Sequence, residues 1–188
     1  MGFWDVVRGQ TRPPAAKLDA LFSLPSAAMT LEASLGLQPT GTGSVCFRAA
    51  EGQAALASQQ EASALIDFDG GPAAQSHVDE FGYTWLTVHT TPPDMAALVT
   101  DLHAVNTSLE DQGFGSSLLC SVVSFTGADQ QPTYVVYLYK RGTFYPFCPT
   151  GPSTRDDLRE RQVRDSVGSD LHIEEDTSRW LPLWGIKE

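Results

Sequence analysis

Residues 91–151 constrain the fold more than any other part of the chain, because a long amphipathic stretch is followed there by two apolar runs of strand length. On a 100° wheel Met95, Leu98, Val99, Leu102, Val105 and Leu109 share one stripe, so a helix here must lie on an apolar surface. Its start signals are Thr91 as N-cap, Pro92 and Pro93 in the first turn, and Asp94, which completes a capping box near the positive end of the dipole. Gly113 supplies the stop. The runs that follow, 118–125 and 134–140, are joined by the polar loop TGADQQPT, and strands so closely connected must pair antiparallel. Arg141-Gly142-Thr143 then turns the chain into FYPFCP, where Pro146 permits only an edge position. The expected fold class is α+β, an antiparallel sheet centred on 83–90, 118–125 and 134–140 with helices packed mainly on one face.

The remaining segments fit around that unit. A chain of 188 residues suits a single α+β domain, with a core of 18–151 and a C-terminal helix and aromatic tail over 152–188. In 18–37, Leu18, Leu21 and Phe22 form one apolar face, Pro25 breaks it, and Ser26 caps a second helix that carries Met29, Leu31 and Leu35 and stops at Gly36. QPTGTG is expected as a turn and SVCFRAA as a short strand. An alanine- and glutamine-rich helix over 52–66 and a loop over 67–75 follow. Residues 76–90 alternate around Gly82, with Phe81, Tyr83, Trp85 and Thr87 on one face and Leu86 and Val88 on the other, as in one long strand bent at the glycine. A capped helix over 153–168 carries charge pairs Asp157–Arg161 and Glu160–Arg164 and little apolar surface, so it belongs on the outside.

Composition removes several function classes. A hydrophobic fraction of 41% with 10% aromatic and 19% charged residues describes a folding chain. A net charge of −11 repels phosphate backbones and anionic lipid alike, so no nucleic-acid partner is expected. Cys46, Cys120 and Cys148 lie far apart without CxxC or Cys/His spacing, which indicates neither a metal site nor a redox pair and fits a reducing cytoplasm. Asp67 and Asp69 lack the later ligands of a calcium loop, and His77 and His89 stand too far apart on one strand to share a metal. No run approaches the roughly 18 apolar residues of a membrane span. Asp5 and Arg8 interrupt any signal-like start, and Val6 stands where myristoylation requires Ser or Thr. No catalytic motif and no cofactor signature is present.

Two clusters invite a functional reading. Asn106 interrupts the apolar stripe and His103 and Glu110 border it, a polar ridge that serves either as a ligand or acid–base pocket or as a structural network with Tyr137, Tyr139, Lys140 or Arg141. The aromatic ends Phe3, Trp4, Trp180 and Trp184, with the Lys140-Arg141 turn, supply the residue types that dominate protein interfaces; both termini packing on the sheet is the competing reading.

The segments DLHAVNTSLEDQGFGSSLLCSVVSF, VYLYKRGTFYPFCPTG, MGFWDVVRG, LFSLPSAAMTLEASLG, GSVCFRAAEG and SRWLPLWG together resemble the PspA-associated protein family PspAB over nearly the whole length. The resemblance implies a non-enzymatic accessory of the phage-shock envelope-stress response, cytoplasmic, or at the inner face of the membrane through its partner. The partners it implies are a PspA-type coiled-coil protein or another envelope-stress protein, a membrane metalloprotease among them. It carries no catalytic residues across. A small-molecule sensor or enzyme built on His103, Asn106 and Glu110 is the alternative.

Overall fold

In the computed structural model, residues 18–48, 74–184 and 186 are described. Phe3, Trp4 and the helix expected over 52–66 lie outside them.

The sheet has six strands, β1 (Gln38–Phe47), β2 (Gln75–Val78), β3 (Thr84–His89), β4 (Leu118–Thr126), β5 (Pro132–Leu138) and β6 (Thr143–Phe147). Their spatial order is β2-β3-β1-β4-β5-β6, and every neighbouring pair is antiparallel. Three helices, α1 (Leu24–Leu35), α2 (Met95–Asp111) and α3 (Asp157–Val167), pack on one face, and a small hairpin of β7 (Pro149–Gly151) and β8 (Thr154–Arg155) precedes α3. The α+β class, the antiparallel sheet and the one-sided helical layer agree with the sequence, and β6, the strand that carries Pro146, lies at the sheet edge.

Local chemistry shifts several boundaries. Asp94, not Thr91, caps α2: its Oδ1 accepts the amides of Ala96 and Ala97 at 2.9 and 3.1 Å, and both prolines precede the helix. Gly113, at φ 89°, ends the helix as expected, with the Phe114 amide returning to the Leu109 carbonyl at 2.8 Å. Pro25 does not break a helix. A 3₁₀ turn at Leu18–Ser23 runs straight into α1, and Pro25 occupies the first turn, where its missing N–H costs nothing. QPTGTG is strand, not turn: β1 begins at Gln38 and absorbs an irregularity between Pro39 and Gly43, with Gly41 at φ 82°. Residues 76–90 are a hairpin, not one bent strand, because Gly82 at φ 79° lets β2 fold back on β3. In α3 the cap is Asp156, and Glu160 pairs with Arg155, not Arg164, which instead contacts Asp165.

The core between helices and sheet is built from the stripe on α2. Met95, Leu98, Val99, Leu102, Val105 and Leu109 are all buried, opposite Val45, Phe47, Leu86, Val88, Val123 and Phe125. Gly43 permits this approach, since a Cβ there would stand 2.9 Å from Leu102 Cδ1. Leu102→Ala is expected to cost about 2 to 5 kcal/mol, the range for buried leucines. The midpoint of denaturant unfolding measures it; an unchanged midpoint would make α2 peripheral.

Candidate functional site

The second face of the sheet is apolar too. Alternation along the strands sends Trp85, Cys46, Cys120, Val122, Tyr134, Val136, Tyr145 and Phe147 to the side away from the helices. The C-terminal segment covers part of it. Ile173 lies parallel to β6, with the Phe144 amide on the His172 carbonyl and the Glu174 amide on the Phe144 carbonyl, both at 2.8 Å. Trp180 is then inserted, 7% exposed, stacked 6.3 Å from the Tyr145 ring, and its Nε1 donates to the Glu174 carbonyl at 2.9 Å. Arg155 Nη1 donates to the Trp180 carbonyl at 2.7 Å and the Tyr145 hydroxyl to the Leu181 carbonyl at 2.9 Å. Beyond it the Trp184 ring meets Phe147 edge-on at 5.1 Å.

Between this segment and the sheet a half-open cleft of about 620 Å³ remains. Its floor is Trp85, Cys46, Cys120 and Leu138, its far border Tyr83 and Phe81, and its near border Leu181, Leu183 and Trp184. Asp79 shapes the far end: its carboxylate accepts the Phe81 and Tyr83 amides, each at 2.9 Å, and Trp85 Nε1 at 2.8 Å. Lys140, Arg141 and Arg179 stand at the near end. Arg141 is bound to the buried carboxylate of Glu174, which also accepts Thr143 Oγ1 at 3.0 Å, and Arg179 Nε bonds Asp176 at 2.8 Å. Lys140 is exposed and makes no ion pair among the described residues.

The geometry divides the residues singled out from sequence. Lys140, Arg141 and Trp184 come together on this cleft, while Trp180 is buried beneath the segment that borders it. The polar ridge does not converge. Asn106 is fully buried on the helical side, its Nδ2 donating to Ser121 Oγ at 3.1 Å, and that hydroxyl is shared with the phenol of Tyr139. Asn106 Oδ1 has no hydrogen-bond partner among the described residues. His103 turns outward to Asp19 at 3.8 Å and to the Phe22 ring at 5.2 Å, and Glu110 packs over Gly115. The three lie across the sheet from the cleft. Tyr139 was among the partners expected for the ridge; Ser121, which joins it to Asn106, carries no signal beyond its place in an alternating strand. The cleft floor was legible only as one face of that alternation, since two cysteines and a leucine announce no chemistry.

The floor is uncharged. Cys46 is pushed well above the ordinary thiol value, first by its hydrogen bond with Cys120 and then by burial. All three cysteines are buried and unbridged, and among the described residues no group of three or more His, Cys, Asp or Glu side chains is placed to hold a metal. No helix of the described residues is long and apolar enough to cross a membrane.

These features define an α+β protein with a helical layer on one face of its sheet and a half-open apolar cleft on the other. Residues 1–187 match the family PspAB, PspA associated protein B, and the chain belongs to it. The family description associates it with PspA. No curated protein and no solved structure matches the chain.

One carboxylate, Glu174, ties the C-terminal segment to the sheet through Arg141 and Thr143, and a second, Asp176, orders the segment internally. Burial opposes the charge of Glu174, but hydrogen bonds from Arg141, the Asp176 amide and Thr143 outweigh it and keep its pKa below the ordinary 4.5. Hydrogen bonds from Ser178 and then Arg179 lower Asp176 from 3.8 to about 2. Groups depressed on folding stabilise above their unfolded pKa and lose that contribution as pH falls through the folded one. The segment is therefore expected to stay docked at neutral pH and to release on acidification below about 4.5, as Glu174 takes up its proton, seen as a red shift in tryptophan emission. Arg141→Ala should move that transition to higher pH; an unmoved transition would show that the Arg141–Glu174 contact does not hold the segment.

Proposed function

We propose that this protein is a non-enzymatic accessory of the PspA envelope-stress response that acts by binding another protein across the mouth of the cleft. The observation that carries this is the pairing of exposed apolar side chains on two borders of one cleft, Phe81 at 56% and Leu181 at 58% exposure, beside Trp184 and the cation of Lys140, which has no ion pair among the described residues. Large apolar groups contribute most where a partner excludes water from them, and a cation beside them sets orientation and partner choice. The complementary surface is an amphipathic helix with acidic flanks, which suits a PspA-type coiled coil; a membrane metalloprotease of the same response is a second candidate. With a net charge of −11 the chain gains little from bare anionic lipid, so a position at the inner face of the membrane would depend on the partner. An enzyme or sensor built on His103, Asn106 and Glu110 gains no support from side chains that point to three different places.

Because Phe81 and Leu181 are exposed, Phe81→Asp and Leu181→Asp should leave the melting temperature nearly unchanged and weaken capture of PspA by about tenfold or more. Leu158→Asp, equally exposed on α3, is the control and should leave capture intact. Undiminished capture by the folded Phe81 and Leu181 variants would place the interface elsewhere.

A further inference from the structure

We infer that the interior of the cleft binds a single-chain amphiphile with an anionic head, a medium-chain fatty acid carboxylate. The inference goes beyond the protein-binding reading and does not rest on it, since it concerns the floor of the cleft and shares only Lys140 with that reading.

Its first support is the register of the sheet. Trp85 pairs with Cys46, Cys46 with Cys120, and Cys120 with Leu138, so the four residues form one straight row perpendicular to the strands. Small thiols in the middle of the row, between a large indole and a leucine, leave a trough. Three strand spacings give it a length of roughly 14 Å. An extended chain of about twelve carbons spans that distance at the usual C–C bond length foreshortened by its zigzag. A cleft of about 620 Å³ is in the range of small-molecule sites, which are mostly apolar with a few polar groups that fix orientation.

The second support is the polarity of the trough. At the Trp85 end sits the Asp79 carboxylate, fully engaged by its own hairpin. At the Leu138 end sits Lys140, two residues further along the chain, while Arg141 and Arg179 are already held by Glu174 and Asp176. A carboxylate at Lys140 meets the one cation of this end without an ion pair among the described residues. At the Asp79 end, Arg48, whose guanidinium lies 6.0 Å from the Tyr83 ring centre at that border, does not line the cleft. The uncharged thiols and the leucine between the ends ask for nothing but apolar contact.

The test uses the full chain and monomeric ligands, followed by calorimetry and by emission of Trp85 and Trp184. Dodecanoate is expected to bind saturably, one molecule per chain, and dodecyltrimethylammonium to bind at least about tenfold more weakly, since a charge-assisted contact is at stake. Lys140→Gln should weaken dodecanoate by about tenfold and leave dodecanol unchanged. Cys120→Phe fills the trough and should abolish binding of all three; if that variant does not fold, Leu138→Trp at the half-buried end of the row replaces it. Saturation that survives both the lysine change and the filled trough would overturn the proposal, as would equal affinity for the cationic detergent. Binding to phosphatidylglycerol vesicles with none to monomeric dodecanoate would overturn it too. Failure of the unaltered protein to capture PspA, with dodecanoate bound normally, defeats only the protein-binding reading, and capture of PspA by a protein that binds no dodecanoate defeats only this one.

Discussion

The structure depends on covering an antiparallel sheet that is apolar on both faces. Strand alternation gives each of β3, β1, β4, β5 and β6 an apolar side chain on either side, so neither face can be left to water. The helices solve one face, with α2 as the central element because its stripe reaches the strands through the space left by Gly43. The other face has, among the described residues, only a C-terminal segment to cover it, whose regular structure is a single 3₁₀ turn at Thr177–Arg179. An extended segment buries less apolar area per residue than a helix that presents a stripe. Its hold must therefore come from a few strong polar contacts, and incomplete cover leaves a cleft.

Those polar contacts are concentrated in two buried carboxylates. Glu160 on α3 accepts Arg155 through both oxygens at 2.7 to 3.0 Å and the Cys148 amide at 2.9 Å, and the same guanidinium reaches the Trp180 carbonyl. One arginine thus ties α3, the end of β6 and the C-terminal segment together. Glu174 does the same at the other side, joining Arg141, Thr143 and the Asp176 amide. Buried ion pairs contribute little net stability against an apolar replacement, yet removing one partner is severe because the other is stranded. Their value here is in position: they fix where an irregular segment lies, which packing alone would specify weakly.

What the sequence disclosed follows from which forces are local. The α2 stripe, the left-handed stop at Gly113, the β4–β5 hairpin and the edge position forced by Pro146 are set by residues near one another in the chain, and all are found in the structure. Helix starts lie about three residues from the expected ones because several residues compete to cap: Asp94 stands where Thr91 is expected, Ser23 where Ser26 is expected, and the helix expected from 153 is capped at Asp156. QPTGTG read as a turn because glycines suggest one; its pairing with β3 and β4 is a tertiary fact. The cleft was half legible. Lys140, Arg141 and Trp184 were singled out for their type, but the row from Trp85 to Leu138 depends on the register of four strands, which no local pattern encodes.

The charged end of the cleft is a by-product of the same anchoring. Arg141 and Lys140 are neighbours in one turn, but Arg141 is drawn back to Glu174 to hold the segment, and Arg179 is drawn to Asp176 within it. Each structural contact cancels a charge that would otherwise face the opening, so a turn rich in cations offers one. That single charge is set against a carboxylate at the far end whose lone pairs are consumed by backbone and indole N–H groups. An apolar trough lined at one end by Lys140, without an ion pair among the described residues, and at the other by a fixed anion has a direction. It follows from how the second face of the sheet is closed, and any occupant, protein or small molecule, must be read against it.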